Sequence, residues 1–184
     1  MRNLAAICLI MIMAVLALPA GAEAWKTYVN EYYGFSLDYP EDWAKQIDEN
    51  SLITLTSPDE LMPVVMTIMT EPVEEGEFED GYSKLLESAI NDIQSQLDIF
   101  TEDLVRIENR GEVDLNGLPA YRFDLVIELL DFFSMRMANT LVRLEGNLLI
   151  LSFAADTAIF DSHSETFDAI RSSFRLVGSQ SGEN

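Results

Sequence analysis

The stretch from Met135 to Leu176 constrains the fold more than any other part of the chain. In Arg136 to Glu145, Ala138, Thr140, Val142 and Leu144 fall on one side of a period-two pattern, and Met137, Asn139, Leu141, Arg143 and Glu145 on the other. That is a strand with one apolar face and one half-wet face. Gly146-Asn147 supplies the positive-φ residues that a two-residue hairpin needs. The run Leu148 to Ala155 is then apolar on both faces, so it predicts an antiparallel strand covered above and below. A closing helix follows, with Phe167, Ile170 and Phe174 on one side.

The upstream chain prepares that sheet. Phe35, Leu37 and Tyr39 alternate inward, and Pro40 ends the strand because it has no N–H for the ladder. Glu41 to Ala44 reads as a short helical turn with acids at its start. Ser51 to Thr56 and Pro63 to Thr70 read as strands around a Ser57-Pro58-Asp59 turn. After an acidic loop over Glu71 to Asp80, Tyr82 to Phe100 carries the longest helical pattern, with Leu86, Ile93, Leu97 and Phe100 in phase. Val105 to Leu115 is a strand kinked near Gly111, and Asn116-Gly117 a hairpin turn. In the next strand Tyr121, Phe123, Leu125 and Ile127 are expected to face inward and Arg122 and Asp124 outward. This order predicts an α+β fold: an α/β/α sandwich with a central antiparallel sheet and helices on both faces.

The first residues read as a targeting segment. Arg2 precedes the uncharged run Leu4 to Leu18, and Ala22-Glu23-Ala24 fits a small-x-small cleavage site, so residues 1–24 are expected to be a signal peptide, with cleavage after Ala22 as the alternative. The other reading is an uncleaved anchor, against which the apolar run is short beside the ~20 residues of a spanning helix. Residues 25–177 then form one domain and residues 178–184 a disordered tail. The expected localisation is export, to the periplasm, the cell-envelope exterior or the medium. Cys8, the only cysteine, lies inside the apolar run, which excludes disulfides, thiolate metal sites and cysteine nucleophiles from the exported part. With 48% hydrophobic residues the chain can bury a core despite its formal net charge of −21. That charge repels nucleic acid and favours cations or a basic partner, and the arginines from Arg106 to Arg171 look scattered rather than gathered into a basic patch.

Candidate chemistry is sparse. His163, the only histidine, sits in Asp161-Ser162-His163-Ser164-Glu165. Sequence neighbours cannot close a hydrolase triad, so Ser162 with Glu165, or Ser164, reads as a helix cap. A mixed site of His163 with Asp161 or Asp156 is the alternative. Glu71, Glu74, Glu75, Glu77, Glu79 and Asp80 offer oxygen ligands for calcium or manganese, but they lack the spacing of an EF-hand and read first as a solvated loop. Met62, Met66, Met69, Met135 and Met137 read as core fillers rather than a copper array. No phosphate loop, HExxH or GxSxG is present, so no catalytic or cofactor-binding residue is assigned and the metal ligands stay open.

Three segments together carry a family resemblance: Tyr28 to Ala44 (YVNEYYGFSLDYPEDWA), Leu115 to Leu125 (LNGLPAYRFDL), and Asn139 onward through LLILSFAAD to ETFDAIRSSFRL, with Ser173-Phe174 near the end. The chain resembles the PsbP domain of the photosystem II extrinsic subunit, and more closely the stand-alone, exported PsbP-like proteins of prokaryotes. The resemblance implies an α/β/α sandwich. A Ran-binding nuclear import factor shares that fold, but an export signal sends this chain elsewhere. The expectation is an exported, non-catalytic module that docks on or stabilises a protein partner, basic or membrane-associated, at the cell envelope. The alternatives are a low-affinity divalent-cation binder and an enzyme with an unfamiliar site.

Overall fold

The computed structural model describes residues 24–47, 51–58, 61–73, 82, 105–129, 133–144 and 146–177. The strands are β1 (Trp25–Asn30), β2 (Phe35–Pro40), β3 (Ala44–Gln46), β4 (Ile53–Thr56), β5 (Val65–Pro72), β6 (Val105–Leu115), β7 (Leu118–Leu129), β8 (Phe133–Leu144), β9 (Asn147–Asp156) and β10 (Arg175–Leu176). The helix α1 spans Thr157–Ser173. The strands form a seven-stranded sheet in the order β3-β4-β5-β9-β8-β7-β6 and a three-stranded sheet β1-β2-β10, with antiparallel pairing throughout.

The run apolar on both faces became β9, the middle strand of the large sheet. Leu149, Leu151 and Phe153 are buried on one side, and Leu148 and Ser152 on the other. The first side faces α1 and the small sheet. There Phe153 stacks on Phe167 at 4.4 Å between centroids and meets Phe160 edge-on at 5.3 Å, while Phe174 stacks on Phe35 at 5.5 Å. Phe35, Leu37 and Tyr39 do point inward. The Ser173 hydroxyl accepts the Asp38 N–H at 2.7 Å, which ties the end of α1 to β2. Asn116 and Gly117, both with positive φ, make the β6–β7 turn. Asn116 also donates to the carbonyls of Ser172 and Phe174 at 2.8 and 2.6 Å, satisfying groups left open at the helix end. On the other side of the sheet Tyr121, Leu141 and Leu148 are buried with Val73, Tyr82, Phe123 and Ile150 beside them.

Several expectations are corrected. The architecture is not an α/β/α sandwich with helices on both faces: it is mostly β, in two antiparallel sheets, with α1 the one complete helix among the described residues. Of the helix expected over Tyr82 to Phe100, only Tyr82 is described, and it is helical. Glu41 to Trp43 is a turn, closed by Trp43 N–H donating to the Pro40 carbonyl at 3.1 Å, and Ala44 opens β3 instead of ending a helical turn. The residues before Tyr33 include a full strand, β1, which no apolar alternation announces. β8 pairs Leu144 with Asn147, so Asn147 stands in the ladder and not in the turn expected at Gly146-Asn147. The kink near Gly111 is a bulge in which the register shifts between Glu108 and Gly111. No helix among the described residues is long and apolar enough to cross a membrane.

Candidate functional site

Three places merit attention. The first is the set of sequence candidates around His163. Here α1 starts earlier than expected, because Asp156, the last residue of β9, caps it by accepting the Ala158 N–H at 2.8 Å. Ser162 and Ser164 therefore lie inside the helix and donate back to the carbonyls of Ile159 and Asp161. They are not caps. His163 lies seven residues beyond Asp156, roughly 10 Å along the axis at ~1.5 Å per residue, so the two cannot share one ion. The Asp161 side chain is 91% exposed and its carboxylate lies 3.5 Å from Arg136 Nη1. Among the described residues no three His, Cys, Asp or Glu side chains gather as a metal would require. The acidic segment from Glu74 to Asp80 lies outside the described residues.

The methionines divide between faces. Met66 is fully buried in the main core, whereas Met62 and Met135 line a shallow pocket of about 270 Å³. Leu61, Pro63, Val65, Ala154 and Ala155 complete its apolar lining, and Ser134 and Asp156 stand at it as polar groups. Leu61 is 92% exposed and Met62 38%. Trp25, Val29 and Leu176 on the small sheet and Tyr32 in the β1–β2 turn are exposed singly, with Val29 and Leu176 on opposite faces.

The third place went unanticipated. Asp124, expected to face solvent, is completely buried. Strand pairing puts it on the face that α1 covers, with Ala138 its partner on β8 and Glu108 its partner on β6. An isolated buried carboxylate costs many kcal/mol, so it must find donors. Its Oδ2 accepts from Arg136 Nη2 at 2.5 Å, Arg136 Nε at 3.2 Å and Asn109 Nδ2 at 2.9 Å. Asn109 reaches it because the bulge gives that residue a φ of 49° and turns its side chain inward. Arg136 in turn lies over the Phe160 ring at 4.6 Å, so one guanidinium bridges β7, β8 and α1. Around this pair stand Arg122, whose Nε is 3.7 Å from Asp124 Oδ1, and Arg171, paired to Asp168 at 2.9 Å. Burial, then the nearby Arg122 charge, holds the Arg171 guanidinium below its ordinary pKa, while Asp168 and Asp124 oppose the shift. Three of the six arginines that look scattered in sequence, Arg122, Arg136 and Arg171, lie at this cluster.

The sequence held one signal for this cluster. Arg122 and Asp124, opposite charges two apart, alternate with aromatic and aliphatic residues in the middle of a strand. Which side was covered could not be read, because Ala120 and Val126 flank those charges on the same face.

A family model described as PsbP-like protein matches residues 20–176. None of the curated sequences compared with the chain matches it. Among solved structures, cyanobacterial PsbP from Synechocystis is similar over 86% of this chain and 95% of its own, with 14% identity and a TM-score of 0.62. LpqN of Mycobacterium tuberculosis, titled as involved in cell envelope biogenesis, aligns over 87% of this chain and 88% of its own at 11% identity and a TM-score of 0.53. The Saccharomyces cerevisiae Ran-binding protein Mog1p aligns over 86% and 98% at 9% identity and a TM-score of 0.55. At these identities the likeness is one of fold.

Proposed function

The chain belongs to the PsbP-like protein family, and from that premise we propose that it is an exported, non-catalytic module that docks on a protein partner at the cell envelope. The observation that carries the reading is the apolar pocket of about 270 Å³ with Leu61, 92% exposed, at its edge. Such a pocket accepts one or two apolar side chains of a partner, and an exposed leucine beside it offers an anchor in return. The pocket sits at the ends of β5, β9 and β8, the three adjacent strands at the middle of the large sheet, which give it a rigid base. Two of the fold's neighbours support the reading by their names, one as a Ran-binding protein and one as a protein of envelope biogenesis. Export is supported by the charged, then apolar, then small-residue order of residues 1–24.

The test is site-specific photo-crosslinking in cells, with the reactive side chain placed at Leu61 or Met62 of the full chain and, as a control, at His163 on α1. One repeated adduct from the pocket positions, absent from the control, is expected in the envelope fraction. Equal adducts from all three positions, or none, would remove the docking reading. Recovery of the whole protein in the cytoplasm would remove export.

A further inference from the structure

The apolar pocket at the ends of β5, β8 and β9 has a charge as well as a shape. Its volume of about 270 Å³ falls below the ~300–1,000 Å³ of small-molecule sites and suits one large side chain. Met62 and Met135 line it, and their unbranched thioethers adapt to the apolar group that enters. Asp156 is the one charged side chain in the lining, and it pairs with Met135 across the β8–β9 ladder. Its Oδ1 caps α1 by accepting the Ala158 N–H at 2.8 Å, which fixes the carboxylate in place and leaves Oδ2 for a second donor. The Ser134 and Thr157 hydroxyls share a hydrogen bond of 2.6 Å, which ties β8 to the start of α1 at the rim.

Charge around the pocket has one sign. The segments that line it, taken with their immediate neighbours (57–65, 131–135 and 154–157), contain Asp59, Glu60, Asp131 and Asp156 and no Lys, Arg or His. Asp59, Glu60 and Asp131 lie outside the described residues, yet Glu60 is one Cα–Cα step of ~3.8 Å from Leu61 in any conformation. Arg136, which follows Met135, is turned to the other face of the sheet, where Asp124 and the Phe160 ring hold it.

Resting on the docking role above, we propose that the pocket takes an apolar side chain from a basic segment of the partner protein, with a neighbouring Lys or Arg of that segment paired to Asp156. The apolar anchor sets the register, and the complementary charge selects a basic segment over an acidic one. A second copy of the chain is disfavoured, because two surfaces of formal net charge −21 repel each other. An anionic membrane surface is disfavoured for the same reason.

The test follows the methyl NMR signals of Met62, Met135 and the fully buried Met66 in the full chain while three capped pentapeptides are added in turn at matched ionic strength. One carries leucine between two lysines, one leucine between two glutamates, and one serine between two lysines. The first is expected to give saturable shifts at Met62 and Met135, with Met66 unmoved, and to bind about fivefold more tightly than either of the others. Asp156→Asn keeps the helix cap, since asparagine caps as well as aspartate, and should remove most of the preference for lysine over glutamate. Equal binding of the two leucine peptides, or a lysine preference that survives Asp156→Asn, would overturn the basic partner and leave the docking pocket standing. Equal binding of the two lysine peptides would mean attraction by net charge alone and would overturn it as well. Shifts at neither Met62 nor Met135 with any peptide would remove the pocket as an anchor, and the docking role with it.

Discussion

Helix α1 is fastened to the sheet by two seams of opposite character. Toward β9 and the small sheet the seam is aromatic: Phe153 against Phe160 and Phe167, and Phe35 against Phe174. Toward β7 and β8 it is ionic: Asp124, Arg136 and Asn109, with Arg122 and Arg171 beside them. Phe160 belongs to both, with Phe153 against its ring and the Arg136 guanidinium over it. The aromatic seam draws its stability from area removed from water, which is favourable whatever the exact geometry. The ionic seam must first offset the desolvation of its charges, so its net worth depends on every donor being in place. The first seam should therefore carry stability, and the second should specify which face of β7 is buried.

The largest effect should come from the aromatic side. Phe167 is fully buried and stacked at 4.4 Å on Phe153, so Phe167→Ala is expected to cost about 3–5 kcal/mol, partly as a cavity. Urea unfolding, read as a midpoint with unchanged slope, measures it. The ionic seam gives a two-part result. Asp124→Leu alone strands Arg136 and should cost about 3 kcal/mol, while adding Arg136→Met should recover most of that loss. A double variant as unstable as the single one would mean that the pair contributes net stability, and the division between the seams would fail.

The sequence made one seam legible and hid the other. Phe167, Ile170 and Phe174 recur at helical spacing after a strand apolar on both faces, so the aromatic contact followed from periodicity alone. The antiparallel hairpins, the position of β9 and the family all came from such local patterns. In β7 the pattern has two solutions, since Tyr121, Phe123 and Leu125 alternate with Arg122 and Asp124, and period two says which residues share a face but not which face is covered. The choice rests on Arg136, twelve residues later on β8, and on Asn109, turned inward by a bulge. Neither is visible without the strand register. The start of α1 escaped for a related reason: Asp156 ends a strand and caps a helix at one position, with no loop between to mark the change.

The smallest effect tests a polar tie placed at the aromatic end. Asp38 on β2 accepts from the Thr27 hydroxyl at 2.6 Å and lies 3.3 Å from Arg175, close to where Phe174 stacks on Phe35. The Thr27 hydrogen bond, aided by Arg175 and opposed by burial, holds the Asp38 carboxyl below its ordinary range. A depressed folded pKa stabilises above the unfolded value of about 3.9, and that contribution is lost as the pH falls through the folded value below it. Asp38 is about one-third exposed, so solvent screening should keep the gain under about 1 kcal/mol. The measurement is the stability difference between the parent and Asp38→Asn in urea, followed from pH 6 down to about pH 2.5. The difference should be constant above pH 5 and shrink toward zero below pH 4. A difference that stays flat through this window would mean that Asp38 is structural only as a hydrogen-bond acceptor. A difference of several kcal/mol would mean that ionic ties also hold the aromatic seam, and the contrast between the two seams would disappear.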